Sequence, residues 1–119
     1  MPVPSKPCRS CGRSISWRKK WERDWEQVLY CSRACRTRGL SGADVQLEER
    51  LSAMLRASSP GVVDEEVARA VDPAAWREHL EPVRRAARRL VATGEAELVQ
   101  HGRVVDGSTT AGPLTIRRA

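Results

Sequence analysis

Val45, Leu47, Leu51, Met54 and Leu55 recur at helical spacing, which predicts a helix from about Ala43 to Ala57. Ser58, Ser59, Pro60 and Gly61 form a stop signal after it. Val62 and Val63 suit a short strand ahead of Asp64, an N-cap candidate for a helix over EEVARAV. Asp72 and Pro73 repeat the start signal, with proline at the first helical position. The clearest amphipathic stretch is PVRRAARRLVAT, from Pro82 to Thr93. There Val83, Ala86, Ala87, Leu90 and Val91 share one face, and Arg84, Arg85, Arg88 and Arg89 share the other. Pro82 lacks the N–H that an interior turn requires, so it is expected to restart or kink the helix, and Gly94 closes it. Beyond, AELVQHGRVVD reads as a hairpin turning at His101 and Gly102, while PLTIRR alternates Leu114 and Ile116 inward with Thr115 and Arg117 outward. Helix, short strand, helix, helix and hairpin is the order of a winged helix-turn-helix. The expected architecture is therefore α+β, with a winged-helix-like domain over residues 43–119.

The first forty residues follow a different logic. WRKKWERDW places Trp17, Trp21 and Trp25 four apart and fills the gaps with charge. On a helix the three indoles share a face continued by Val28 or Leu29, with Arg18–Glu22 and Lys20–Asp24 as supporting pairs; an alternating strand would put them beside Lys19 and Arg23. A helix is the preferred reading. The indoles serve either as a miniature core or as a stacking surface flanked by cations, of the kind single-stranded nucleic acid uses.

Cysteines frame this segment. Cys8 and Cys11 form C-x2-C-G, and Cys31 and Cys35 form C-x3-C, with nineteen residues between the pairs. Two short-spaced pairs have the form of a structural zinc site, in which four thiolates close a tetrahedron and leave no position for substrate. A redox CxxC normally uses one pair beside a βαβ pattern, which is missing here; iron is the competing metal. About forty residues cannot bury enough surface to fold unaided, and structural zinc supplies on the order of 10 kcal/mol. Residues 1–39 are thus expected to form a four-cysteine zinc-binding module, with a hinge at Gly39 to Gly42. The second cysteine pair suits the first turn of a helix.

Charge follows the same division. The formal charge of +6 is concentrated before residue 42, where ten basic side chains face three acidic ones, whereas the remainder is nearly balanced. That bias points to nucleic acid, DNA ahead of RNA, or to an acidic protein partner. Arg18, Lys19, Lys20, Arg84, Arg85, Arg88 and Arg89 are the candidate nucleic-acid contacts, the last four as the outer face of a recognition helix; a solvated face, and arginines that only balance the metal site, are the bland alternatives. No apolar run reaches the length of a membrane span and the start has no secretory signal, so a soluble, cytoplasmic protein is expected. His79 and His101 lack cysteine or glutamate neighbours at ligand spacing, and no phosphate-binding loop or nucleophile elbow is present. The expectation is a binding protein, not an enzyme.

The run CRSCGRSISWRKKWERDWEQVLYCSRACR closely resembles the family known as domain of unknown function 2256, in both cysteine pairs and in the WRKKW core, over about residues 7–38. The resemblance implies a short cysteine-rich, zinc-binding module. EVARAV at 66–71, Trp76 with Arg77, PVRRAARRL at 82–90, Gly94, QHGRVVD and GPLTIR resemble domain of unknown function 3253, over about residues 43–118. That likeness implies a winged-helix-like fold. The pattern often has a Pro-Ser pair where this chain has Asp64 and Glu65.

Overall fold

The computed structural model of the chain describes residues 4–57 and 61–119, so most of the stop signal, Ser58 to Pro60, lies outside the described residues. The first segment opens with a two-stranded antiparallel hairpin, β1 (Ser5–Pro7) and β2 (Ser14–Ser16), in which Lys6 pairs with Ile15. Its loop carries the first cysteine pair. The tryptophan stretch is not the continuous helix its periodicity predicts. It breaks into two 3-10 turns, Lys19–Trp21 and Trp25–Gln27, entered through extended backbone at Arg18 and left through extended backbone at Val28. The reason is reach. A straight helix advances about 1.5 Å per residue, whereas this segment must return Cys31 to the side of Cys11. Short turns let Trp21 and Trp25 fold over one cluster while the chain doubles back.

Helix α1 (Arg33–Arg38) follows; the Ser32 hydroxyl caps it by accepting from the Cys35 N–H at 3.1 Å, and Gly39 ends it. The next helix starts at the end of the expected hinge, Gly39 to Gly42. Ser41 and Asp44 exchange side-chain and backbone hydrogen bonds at 2.9 and 3.1 Å, a capping box that starts α2 (Gly42–Ala57).

Strand β3 (Val62–Val63) leads into α3 (Asp64–Val71), as the pattern predicts. Asp64 is the first residue of that helix rather than a free cap, and it is buried. The Asp72 carboxylate accepts from the N–H groups of Ala74 and Ala75, so α4 begins only at Trp76 and not at Pro73. Helix α4 (Trp76–Ala92) then runs through Pro82 without restarting there. Its end is a Schellman arrangement: the Gly94 N–H donates to Val91 O and the Glu95 N–H to Leu90 O. Strands β4 (Ala96–Gln100), β5 (Arg103–Val105) and β6 (Thr115–Arg118) complete an antiparallel sheet of order β3-β6-β4-β5. The β4–β5 turn falls at His101 and Gly102, both at positive φ, which suits a two-residue hairpin.

The molecule is therefore α+β, a cysteine cluster followed by a helix-and-sheet domain. The main core joins Leu51 and Leu55 of α2, Val67 and Ala68 of α3, Val83, Ala86, Ala87 and Leu90 of α4, and Leu98, Leu114 and Ile116 from the sheet and the segment before β6. A second, smaller core holds Cys8, Cys11, Ile15 and Cys35 under Trp21, Trp25, Val28 and Tyr30. Among the described residues no helix is long and apolar enough to cross a membrane.

Candidate metal centre and its basic surface

The sulfurs of Cys8, Cys11, Cys31 and Cys35 all lie within 4.8 Å of one another. Cys31 Sγ stands 3.6 Å from both Cys11 Sγ and Cys35 Sγ. A tetrahedral ion about 2.3 Å from each sulfur would separate them by roughly 3.8 Å. The donor set therefore fits a metal ion. Three elements place it: the β1–β2 loop supplies Cys8 and Cys11, the chain ahead of α1 supplies Cys31, and the first turn of α1 supplies Cys35. Cys8, Cys11 and Cys35 are buried and Cys31 is exposed, so one edge of the cluster meets solvent.

Backbone geometry favours thiolate at this loop. The Cys31 N–H points at Cys8 Sγ at 3.4 Å, and Gly12 N–H closes the turn on Cys8 O at 3.0 Å. Burial pushes the Cys8 thiol up, but N–H groups of Cys11, Cys31 and Ser10, with the Cys11 thiol, outweigh it and hold the group at about 7. Burial pushes Cys11 up to about 12, with Cys31 and Cys8 adding to the effect, and it raises Cys31 as well, with Cys35 adding there. Four thiols packed this closely cannot all ionise without a compensating cation. Arg38 Nη1 supplies one contact, 3.6 Å from Cys35 Sγ.

The tryptophans take separate roles. Trp21 and Trp25 stack with centroids 6.0 Å apart and an interplanar angle of 29°, and both pack on the cysteine core. Trp17 is half-buried outside that cluster, with its backbone N–H bonded to Pro4 O. Lys6 lies 4.3 Å from the centre of the Trp25 ring and also donates to Trp25 O. Arg18 and Lys20 stand 5.6 and 5.0 Å from the Trp21 ring, and Arg18, Lys19 and Lys20 are all exposed. The group packed on the cysteine core thus includes two of the three indoles, as a miniature core requires, with cations beside their rings. Lys6 and Tyr30 belong to it although nothing in their sequence context marks them.

Helix α4 departs most from expectation. Its arginines do not form an outward face. Arg88 and Arg89 are 5% and 7% exposed, covered by the cysteine segment. Arg88 Nε donates to Cys11 O at 2.5 Å and its Nη2 to Glu81 at 2.8 Å, while Arg89 donates to Ser10 O at 2.6 Å and to Glu48 at 2.5 Å. Arg84 is paired with the buried Asp64 at 2.8 Å. Arg85 is half-buried, its charge disfavoured by burial and then by Arg38, and its Nε has no hydrogen-bond partner among the described residues. The physical cause is a second layer. The loop carbonyls of Ser10 and Cys11 accept guanidinium protons, so the polar side of α4 becomes an internal seam.

Gly12 sits at the centre of that seam. Its φ is +77°, and a Cβ there would stand 2.5 Å from Arg88 Cβ. Only glycine combines that conformation with that approach. The two histidines lie apart from the cluster's ligand set: His101 occupies the hairpin turn, and His79 Nε2 is 3.6 Å from Asp72.

Residues 44–119 match the family described as a protein of unknown function, DUF3253, and residues 1–38 match the one described as an uncharacterized protein conserved in bacteria, DUF2256. The first match covers more than half of the chain, which therefore belongs to the DUF3253 family, with a DUF2256 segment at its N-terminal end. No curated protein matches the chain.

Proposed function

We propose that the chain is a zinc-containing nucleic-acid-binding protein, acting by recognition and not by catalysis, as a regulator or an accessory factor in nucleic-acid processing. The observation that carries this reading is the surface of the cysteine segment, where Arg18 and Lys20 stand over Trp21, which stacks on Trp25 above the cluster, and Lys19 between them in sequence is exposed too. Cations track a phosphate backbone and aromatic faces accept bases. Zinc is the favoured metal because four thiolates in a closed tetrahedron suit a structural ion with no redox demand.

The C-terminal half is read as a winged helix on the order of its elements and its antiparallel sheet. Within it, α4 serves as the seat of the metal module. Arg88 and Arg89 are committed to carbonyls and carboxylates there, so groove entry by that face is not part of the proposal. Recognition is assigned to the first segment instead.

Binding of the metal-loaded protein to labelled DNA and RNA, followed as salt rises, tests the reading. Affinity should fall steeply with ionic strength. Replacing Arg18, Lys19 and Lys20 by alanine should flatten the log–log salt slope by up to about 2 to 3, each lost phosphate contact removing roughly 0.7 to 0.9. Absence of binding to single-stranded DNA, duplex DNA and RNA at low salt, with the protein folded and loaded, would instead favour an acidic protein partner.

A further inference from the structure

Beside Trp21 the cysteine segment forms a cleft of about 380 Å³, between the 3-10 turns and α1. Its walls bring together Trp21 and Tyr30 with Lys20, Arg33 and Arg36, and Gln27 adds an amide. No acidic side chain is among the described residues that line it. The geometry points to this cleft as a site for one unpaired nucleotide of a single strand, the base against the Trp21 ring and the phosphate between Arg33 and Arg36. This inference rests on the nucleic-acid reading above and gives it a strandedness and an address.

Three features support the assignment. The volume falls within the roughly 300 to 1,000 Å³ typical of small-ligand sites, enough for a base and its sugar. Two of the cations are uncommitted: the side chains of Arg33 and Arg36 make no ion pair or hydrogen bond among the described residues, whereas Lys20 lies over the Trp21 ring 5.0 Å from its centre and moves aside for an incoming base. Arg38, not Arg33 or Arg36, makes the side-chain contact to a cysteine sulfur. Balancing the cluster therefore does not account for the other two. Third, Trp21 is held by its packing against the cysteine core and its stack on Trp25, so its ring is positioned before a ligand arrives. A base in a duplex has its faces covered by its neighbours; only an unpaired one can lie on an indole. The amide of Gln27 can donate to and accept from a base edge.

The test uses the full, metal-loaded chain and a short fluorescein-labelled oligothymidylate. Arg33→Glu with Arg36→Glu should weaken binding by about tenfold or more, whereas the charge-matched pair Arg103→Glu with Arg118→Glu, both exposed on the sheet, should have a much smaller effect. Unlabelled oligothymidylate should quench tryptophan emission in the parent protein, and Trp21→Leu should remove most of that quenching. Because Trp21 covers the cysteine core, metal content and thermal unfolding of the variant establish that it folds. Oligothymidylate binding that survives the Arg33 and Arg36 reversal, with quenching unchanged in Trp21→Leu, overturns the cleft while leaving nucleic-acid binding intact. Binding of duplex alone does the same. Failure of single strand, duplex and RNA alike removes the broader reading, and the cleft falls with it.

Discussion

A carboxyl group that is 1% exposed, as Asp64 is, is costly to bury unless donors reach its oxygens. Here Arg84 Nε and the Glu65 N–H do so, both at 2.8 Å. Sequence suggested Asp64 as a cap and Arg84 as a base reader, and neither residue by itself revealed the other. They are twenty positions apart and meet only because α3 packs on α4. The same limit applies to Arg88 and Arg89. Helical periodicity shows which residues share a face but not what covers that face; Glu81 and Glu48 are there to pair with Arg88 and Arg89, but the Cys11 and Ser10 carbonyls that complete their burial leave no mark in the sequence. The cysteine ligands were legible because their signal is local spacing. For Arg84→Met, a loss of about 3 to 5 kcal/mol is expected, the usual cost of stranding one half of a buried ion pair. Arg84→Met combined with Asp64→Leu should recover most of it in urea unfolding; a double variant no more stable than the single one would refute the pairing as the cause.

At the level of elements, strong periodicity succeeded where tertiary packing agreed with it. Helices α2 and α3, the His101–Gly102 turn and the inward Leu114 and Ile116 stand where the pattern puts them, whereas α4 starts at Trp76, after the Asp72-Pro73 start signal, and runs through Pro82 as one helix. The Trp17–Trp25 stretch failed because ring closure around the cysteines overrode a weak local preference. Gly39 to Gly42 was read as a hinge from its glycines, although SGAD carries the reciprocal capping signature. That box makes a pH prediction. Burial raises the Asp44 carboxyl, but the Ser41 N–H and hydroxyl and the charges of Arg89 and Arg85 outweigh it and hold the group below its usual value in the folded state. A group lowered on folding contributes stability above its unfolded value, near pH ~4, and loses that contribution as pH falls through the folded value. Asp44→Asn should therefore cost about 1 kcal/mol at neutral pH and make stability less sensitive to acid below about pH 4. Parallel acid limbs for the two proteins in thermal unfolding would exclude this role.

For the molecule as a whole, the seam between the cysteine segment and α4 decides whether the chain behaves as two beads or as one body. Sequence divided it cleanly, by charge, by cysteines and by the two family matches. The structure joins what the sequence divided. Ser10 and Cys11 present their carbonyls to Arg89 and Arg88, and Gly12 lets the loop lie directly on the helix. The position of those carbonyls depends on the turn that a metal would tie through Cys8 and Cys11. With the ion removed, the loop relaxes and two guanidinium groups that are nearly fully buried lose acceptors they cannot replace. Chelation should then loosen α4 as well as the first segment. In hydrogen exchange, amides around Arg88 and Arg89 should lose protection on treatment with a strong chelator, and the metal-loaded protein should unfold in a single transition at higher temperature. Gly12→Ala should reproduce part of the effect with metal present, at a cost of about 2 to 4 kcal/mol from strained φ and overpacking together. If chelation exposes the cysteine segment while α4 keeps its protection, the two halves are independent and the buried arginines do not couple them.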